Sequence, residues 1–148
     1  MRQIRERRIL LRSPTCILIV NPTSGREQAV KYAPKMEKVL KEQYQSVCTR
    51  KTEKSGDAEQ FAENAANAGM DVFCMGGDGT IHEVINGLAR SENNPSFGFV
   101  PFGTVNDLAR ALHIPRTPHA AINMLRAAVT SRISIGRINA RSFVNIVA

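Results

Sequence analysis

Gly76-Gly77-Asp78-Gly79-Thr80 lies between a short apolar run, residues 72–75, and an amphipathic stretch, residues 81–89. A buried strand, a glycine-dense turn and a helix start, in that order, build a phosphate cradle. Glycines let the backbone approach an anion, and the helix N-terminus adds unpaired N–H groups and the positive end of its dipole. An aspartate inside such a loop repels a bare phosphate. Its presence therefore points to a Mg2+ carried by a nucleotide. The loop reads as part of a nucleotide-handling domain.

Around it the chain alternates between two periodicities. Strand-like runs occupy Thr15–Val20, Ser46–Lys51, residues 72–75 and residues 97–100. Between them apolar residues recur at helical spacing: Ala29, Ala33, Met36, Val39 and Leu40; Ala58, Phe61, Ala62 and Ala65; Ile81, Val84, Ile85 and Leu88. A shorter stripe of Val105, Leu108, Ala109 and Leu112 follows the fourth run, and Ala121, Ile122, Leu125 and Val129 give a fifth. Pro34 leaves the start of the first helix open. Two more strands are expected over residues 131–138 and 142–147. Alternation of this kind predicts an α/β fold, a mostly parallel sheet covered by helices on both faces. The last strand ends without a turn or polar tail, so the chain is expected to be part of a longer protein.

In a parallel sheet every strand-to-helix loop emerges at one edge, where ligands gather. Four such loops are rich in Gly, Ser, Thr and Asn, residues suited to contacts with phosphate. They are Asn21-Pro22-Thr23-Ser24-Gly25, then Thr52 with Ser55-Gly56-Asp57, then residues 76–80, then Pro101-Phe102-Gly103-Thr104-Val105-Asn106-Asp107. Helix capping is the competing explanation. Ser24-x-x-Glu27, Thr80-x-x-Glu83 and Thr104-x-x-Asp107 all fit the capping box, in which a hydroxyl and a carboxylate satisfy the unpaired amides of a helix start. Capping accounts for Glu27 and Glu83 but not for three glycines and Asp78. A P-loop, a dinucleotide-binding G-x-G-x-x-G and a protein-kinase motif set are all missing from the sequence.

Lys and Arg number 20 against 13 Asp and Glu, a net charge of +7 that suits a nucleotide, an acidic membrane or a nucleic acid. With 5% aromatics and no Trp, base stacking has little to work with, and no nucleic-acid partner is expected. Arg2, Arg5, Arg7, Arg8 and Arg12 make residues 1–14 a basic N-terminal arm. No apolar stretch approaches the roughly 18–20 residues of a membrane span. Residues 9–11 are too short for a signal-peptide core, which points to a cytoplasmic protein. Cys16, Cys48 and Cys74 all fall in strands without metal-ligand spacing and are expected to be buried free thiols. His82 reads as a surface or packing residue, and His113 and His119 as loop residues.

Three motifs carry a resemblance. Asn21-Pro-x-Ser-Gly25, Gly-Gly-Asp-Gly-Thr80 and Pro101-x-Gly-Thr-x-Asn-Asp107, in this order and spacing, resemble the diacylglycerol kinase catalytic domain, with the soluble bacterial type the best match. Glu83-Val-Ile-Asn-Gly-Leu-Ala89 and Asp107-Leu-Ala-Arg-Ala-Leu-His-Ile-Pro115 extend it, so that it covers residues 15–148. The resemblance implies a three-layer α/β/α domain like that of NAD kinases and phosphofructokinases. It implies ATP and Mg2+ as cofactors and transfer of the γ-phosphate to the hydroxyl of diacylglycerol. A sphingosine or ceramide kinase is the alternative, because His82 stands where the bacterial enzymes usually carry Asn; an NAD kinase relative is the more remote one.

Mapped by motif, the resemblance gives Asn21, Ser24, Gly25, Thr52, Gly76, Gly77, Asp78, Gly79, Thr80, Glu83, Thr104 and Asn106 as nucleotide-binding residues. Asp78 is also the candidate for catalysis and for the Mg2+ of the nucleotide. The general base and structural Mg2+ carboxylates are implied in a second, β-rich domain downstream, so this chain alone is expected to be inactive. A membrane lipid as acceptor implies a peripheral protein that visits an anionic surface; a homodimer is compatible with this reading.

Overall fold

Residues 14–126, 134–138 and 141–145 are described by a computed structural model, and the basic arm at residues 1–13 lies outside them. Four parallel strands, β1 (Thr15–Val20), β2 (Ser46–Lys51), β3 (Asp71–Gly76) and β4 (Phe97–Pro101), form one sheet in the order β2-β1-β3-β4. Their connections are α1 (Gln28–Lys41), α2 (Asp57–Asn67) and α3 (Asp78–Ala89), and α4 (Asp107–Ala111) and α5 (Pro118–Arg126) follow. Two further strands, β5 (Ser134–Ile138) and β6 (Arg141–Asn145), pair antiparallel in a sheet of their own. Residues 131–133 and 146–147 of the expected runs, and Val129, lie outside the described residues.

Position in the sheet sets burial. β3, between two strands and two helix layers, is buried at all six positions, whereas the outer strand β2 is mostly exposed. The two faces alternate as a pleated strand requires. Cys16, Leu18, Val20, Phe73, Met75 and Val100 pack with Ala29, Ala33, Met36, Val39 and Leu40 of α1 and Ala121 and Ile122 of α5. Ile17, Ile19, Val72, Cys74 and Phe99 pack with Ala58, Ala62 and Ala65 of α2, Ile81, Val84 and Ile85 of α3 and Ala109 of α4. The expected three-layer arrangement is therefore present.

Local expectations are corrected in four places. α1 continues through Pro34, which sits at an exposed position of the helix. Val105 is not on the helical stripe: α4 begins at Asp107, and Val105 stands half exposed in the preceding loop. His119 lies inside α5, in contact with Lys35 of α1, rather than in a loop. Cys48 is exposed because β2 is an edge strand, while Cys16 and Cys74 are buried as expected.

Burial, with the nearby Asp71 carboxylate in support, pushes the Cys16 thiol up to about 12. Burial, then Glu83, pushes the Cys74 thiol up as well. A thiolate-directed reagent should therefore modify Cys48 in the native protein and the other two only after denaturation, which thiol counting with and without denaturant checks.

α2 and α3 cross very closely. A Cβ at Gly87 would lie 2.2 Å from the Glu59 carbonyl oxygen and 3.0 Å from the Ala62 Cβ. Glycine within a helix ordinarily costs about 1 kcal/mol relative to alanine. Here the sign reverses, because backbone and not a flexible side chain is in the way. Gly87→Ala should lose about 1–3 kcal/mol of stability, read from the urea unfolding midpoint.

Candidate active site

The connection from β1 runs outward to β2, and the next returns across β1 to β3. This reversal leaves a crevice at the carboxyl ends of β1 and β3, the switch point at which open parallel sheets take their ligands. The loop after β1 and the glycine loop after β3 meet there. Their backbones join through Asn21 N–H, which donates to the Met75 carbonyl at 3.0 Å.

α3 starts with nothing of its own to cap it. Gly77 occupies the N-cap in an extended conformation without a side-chain cap bond, and the first helical bond runs from Ile81 N–H to the Gly77 carbonyl at 3.0 Å. The N–H groups of Asp78, Gly79 and Thr80 precede that bond. Gly79 is exposed, and a Cβ placed on it would meet nothing within 4 Å. The helix therefore presents an open end with room for an anion in front of it.

The side chains at the start of α3 reach sideways instead. Thr80, only 8% exposed, accepts a hydrogen bond at its Oγ1 from Asn21 Nδ2 at 2.9 Å. Asn21 Oδ1 in turn accepts from the Thr23 hydroxyl at 2.9 Å and from Thr23 N–H at 3.2 Å. Asp78 Oδ2 accepts from Asn106 N–H at 3.0 Å, which ties the loop after β4 to the glycine loop. Glu83 Oε1 accepts from Gly56 N–H at 2.7 Å and from the Ser55 hydroxyl at 3.2 Å, which ties in the loop after β2. The capping boxes are thus not formed. Thr80 is inside α3 and bonded to Asn21, Glu83 reaches another helix, Glu27 is itself the N-cap residue of α1, and α4 also has no side-chain cap bond.

Glycines make these approaches possible. A Cβ on Gly76 would lie 2.7 Å from the Thr80 Cβ, and one on Gly103 would lie 2.9 Å from Asn106 Oδ1 and 3.1 Å from the Gly77 Cα. Gly103 had no assigned role from the sequence; its place in the Pro-x-Gly-Thr motif was the available signal. Ser55 and Gly56 were also missed as partners of Glu83. Gly25, at φ 61°, packs its Cα region against Phe102, and Arg26 and Glu27 continue in the same left-handed region at 54° and 67°. Ser24 joins through its backbone N–H to the Asn21 carbonyl at 3.1 Å. Thr52, buried, extends the sheet by one bond to the Val20 carbonyl at 2.9 Å, while Thr104 stands exposed. His82 is exposed, as a surface reading required.

Asp57 Oδ2 accepts from the N–H groups of Glu53 at 2.8 Å and Lys54 at 3.0 Å. These bonds hold its carboxyl below the ordinary value of 3.8. Asn106 is 5% exposed and left-handed, at φ 55°. Its Nδ2 donates to the Gly103 carbonyl at 2.7 Å, and its Oδ1 is buried without a protein partner. A Cβ in the left-handed region costs about 1–2 kcal/mol that asparagine offsets in part by local hydrogen bonding. Asn106→Ala should therefore be less stable than Asn106→Gly by about 1 kcal/mol in urea denaturation, although both remove the same side-chain bond.

Among the described residues no cluster of three or more His, Cys, Asp or Glu is arranged to hold a metal. Asp78 is the carboxylate at the open helix end. The same residues contain no helix long and apolar enough to cross a membrane.

The comparisons with known proteins agree with this geometry. The diacylglycerol kinase catalytic domain family matches residues 15–138. Proteins described as diacylglycerol kinase from Staphylococcus aureus and Staphylococcus saprophyticus are each 41% identical over 132 residues, 88% of this chain. The match spans 42% of the first and 43% of the second, so the chain covers less than half the length of these curated relatives. The crystal structure of a diacylglycerol kinase from Bacillus anthracis strain Sterne aligns with a TM-score of 0.80 at 28% identity, over 88% of this chain and 45% of that one. With sequence, fold and loop motifs in agreement over the same span, this chain belongs to the diacylglycerol kinase catalytic domain family.

Proposed function

We propose that this chain is the nucleotide-binding part of an ATP-dependent lipid kinase that phosphorylates the hydroxyl of diacylglycerol to give phosphatidic acid. The observation that carries the reading is the uncapped start of α3 at the sheet's switch point, with open space before Gly79. Unpaired amides at a helix end are complementary to phosphate oxygens, and phosphoryl transfer depends mainly on positioning and on neutralising charge. The names of the relatives favour diacylglycerol over a sphingoid acceptor.

In this reading the amides of Asp78, Gly79 and Thr80 hold phosphate. Asn106 N–H fixes one oxygen of Asp78, and the carboxylate would hold the Mg2+ of the nucleotide or orient the acceptor hydroxyl. The Mg2+, arriving with the nucleotide, supplies charge neutralisation at the phosphates. Thr52 and Thr104 donate from either side, and the bond from Asn21 to Thr80 keeps the first loop in register with the glycine loop. A lipid acceptor requires the protein to work at a membrane surface, where each Lys or Arg near an anionic leaflet contributes about 1 kcal/mol.

Calorimetric titration with Mg-ATP, with NAD as the control ligand, tests the site. Mg-ATP should bind and NAD should not. Gly79→Val should keep the fold, since its side chain enters open space, yet lower Mg-ATP affinity at least about tenfold by occupying the place of the phosphate. Wild-type affinity in Gly79→Val would remove the helix end from the site.

A further inference from the structure

Two of the helices that begin at the carboxyl edge of the sheet, α2 and α3, differ at their starts. α3 is open. α2 also lacks a cap of its own, since Gly56 fills its N-cap at φ 94° without a side-chain bond from within the helix. Yet its end is occupied: the Glu83 carboxylate, from the second turn of α3, accepts the Gly56 N–H at 2.7 Å and the Ser55 hydroxyl at 3.2 Å. The short distance to the amide is that of a charge-assisted bond, and a carboxylate at a helix N-terminus is favoured by the dipole. The rest of the loop is fixed by other means. Thr52 N–H bonds to Val20, Glu53 and Lys54 N–H to Asp57 Oδ2, and Asp57 N–H to the Lys54 carbonyl at 3.3 Å. Glu83 thus ties this loop to the helix that carries the glycine loop.

From this we infer that Glu83 is a positioning residue. Its Oε1 is taken by Ser55 and Gly56, where it holds the loop that follows Thr52 against the helix that carries the glycine loop, and its role is to place that loop rather than to contact the nucleotide. It also fills the start of α2 with a built-in anion, which leaves α3 as the end that takes phosphate. The inference rests on the nucleotide reading above for its consequence, but not for the tie itself.

Two conservative changes separate reach from charge. Glutamine keeps the length and the accepting oxygen but loses the charge. Aspartate keeps the charge but withdraws the oxygen by one methylene. The measurements are amide exchange at Gly56 in the unliganded protein and Mg-ATP affinity by calorimetry, on wild type, Glu83→Gln, Glu83→Asp and Glu83→Ala. Glu83→Ala and Glu83→Asp should raise Gly56 exchange and weaken Mg-ATP binding, each by about tenfold, and Glu83→Gln should recover most of both. Gly56 exchange unchanged in both Glu83→Ala and Glu83→Asp would overturn the tie. Aspartate binding Mg-ATP better than glutamine would overturn the positioning role in favour of a direct charge effect on the nucleotide or its metal. A wild-type protein that binds no Mg-ATP would instead defeat the nucleotide reading, and Gly56 exchange would still judge the tie.

Discussion

The first turn and a half of α3 holds the site together. Asp78, Thr80 and Glu83 lie on one helix within six positions, and each takes a hydrogen bond from a different loop: Asn106 after β4, Asn21 after β1, and Gly56 with Ser55 after β2. Each donor comes from another loop of the same sheet edge, so four loops share one anchor. Individually such bonds contribute about 0.5–1.5 kcal/mol, or up to about 3 when an ionised group accepts. Their joint effect is geometric. They fix the rim of the crevice while leaving the α3 amides free, so that stability and ligand recognition use different groups on the same helix.

That division also explains the glycines. Of the loop's three glycines, Gly76 gives way to the Thr80 side chain, Gly77 gives way to the Gly103 backbone, and Gly79 faces open space. Two of the three serve the contact between loops and the third serves the cleft. A glycine-dense loop is therefore not uniformly a ligand loop; here most of its permissiveness is used by neighbouring protein.

Much of this was legible in the sequence, and the remainder was hidden for identifiable reasons. Strand and helix runs located all four parallel strands and the three crossover helices, because the inner strands are continuous apolar runs and each helix buries one face. The loops with Asn21, Thr80 and Asn106 were found for the same reason: their polar residues directly follow buried strands. Strand order was not visible, so Cys48 could not be told from Cys16 and Cys74; only the sheet shows that β2 is outermost. Glu83 was read as a local cap because Thr80-x-x-Glu83 has the right spacing, whereas its partners stand 27 and 28 positions away. Their proximity depends on the close crossing at Gly87, a tertiary fact that no local pattern records. Val105 fitted a helical period by accident of spacing, and the left-handed Asn106 stops the helix from reaching it.

A helix whose start is closed by a residue from another helix has a consequence for how the chain orders itself. An isolated helix of 11 residues is marginal in water even with the alanines that α2 carries. α2 thus gains its cap only when α3 arrives, and α3 approaches only by laying Gly87 against Glu59 and Ala62. The segment from β2 to α3 therefore forms as one cooperative unit, in which the secondary structure of one helix and the docking of the next are a single event.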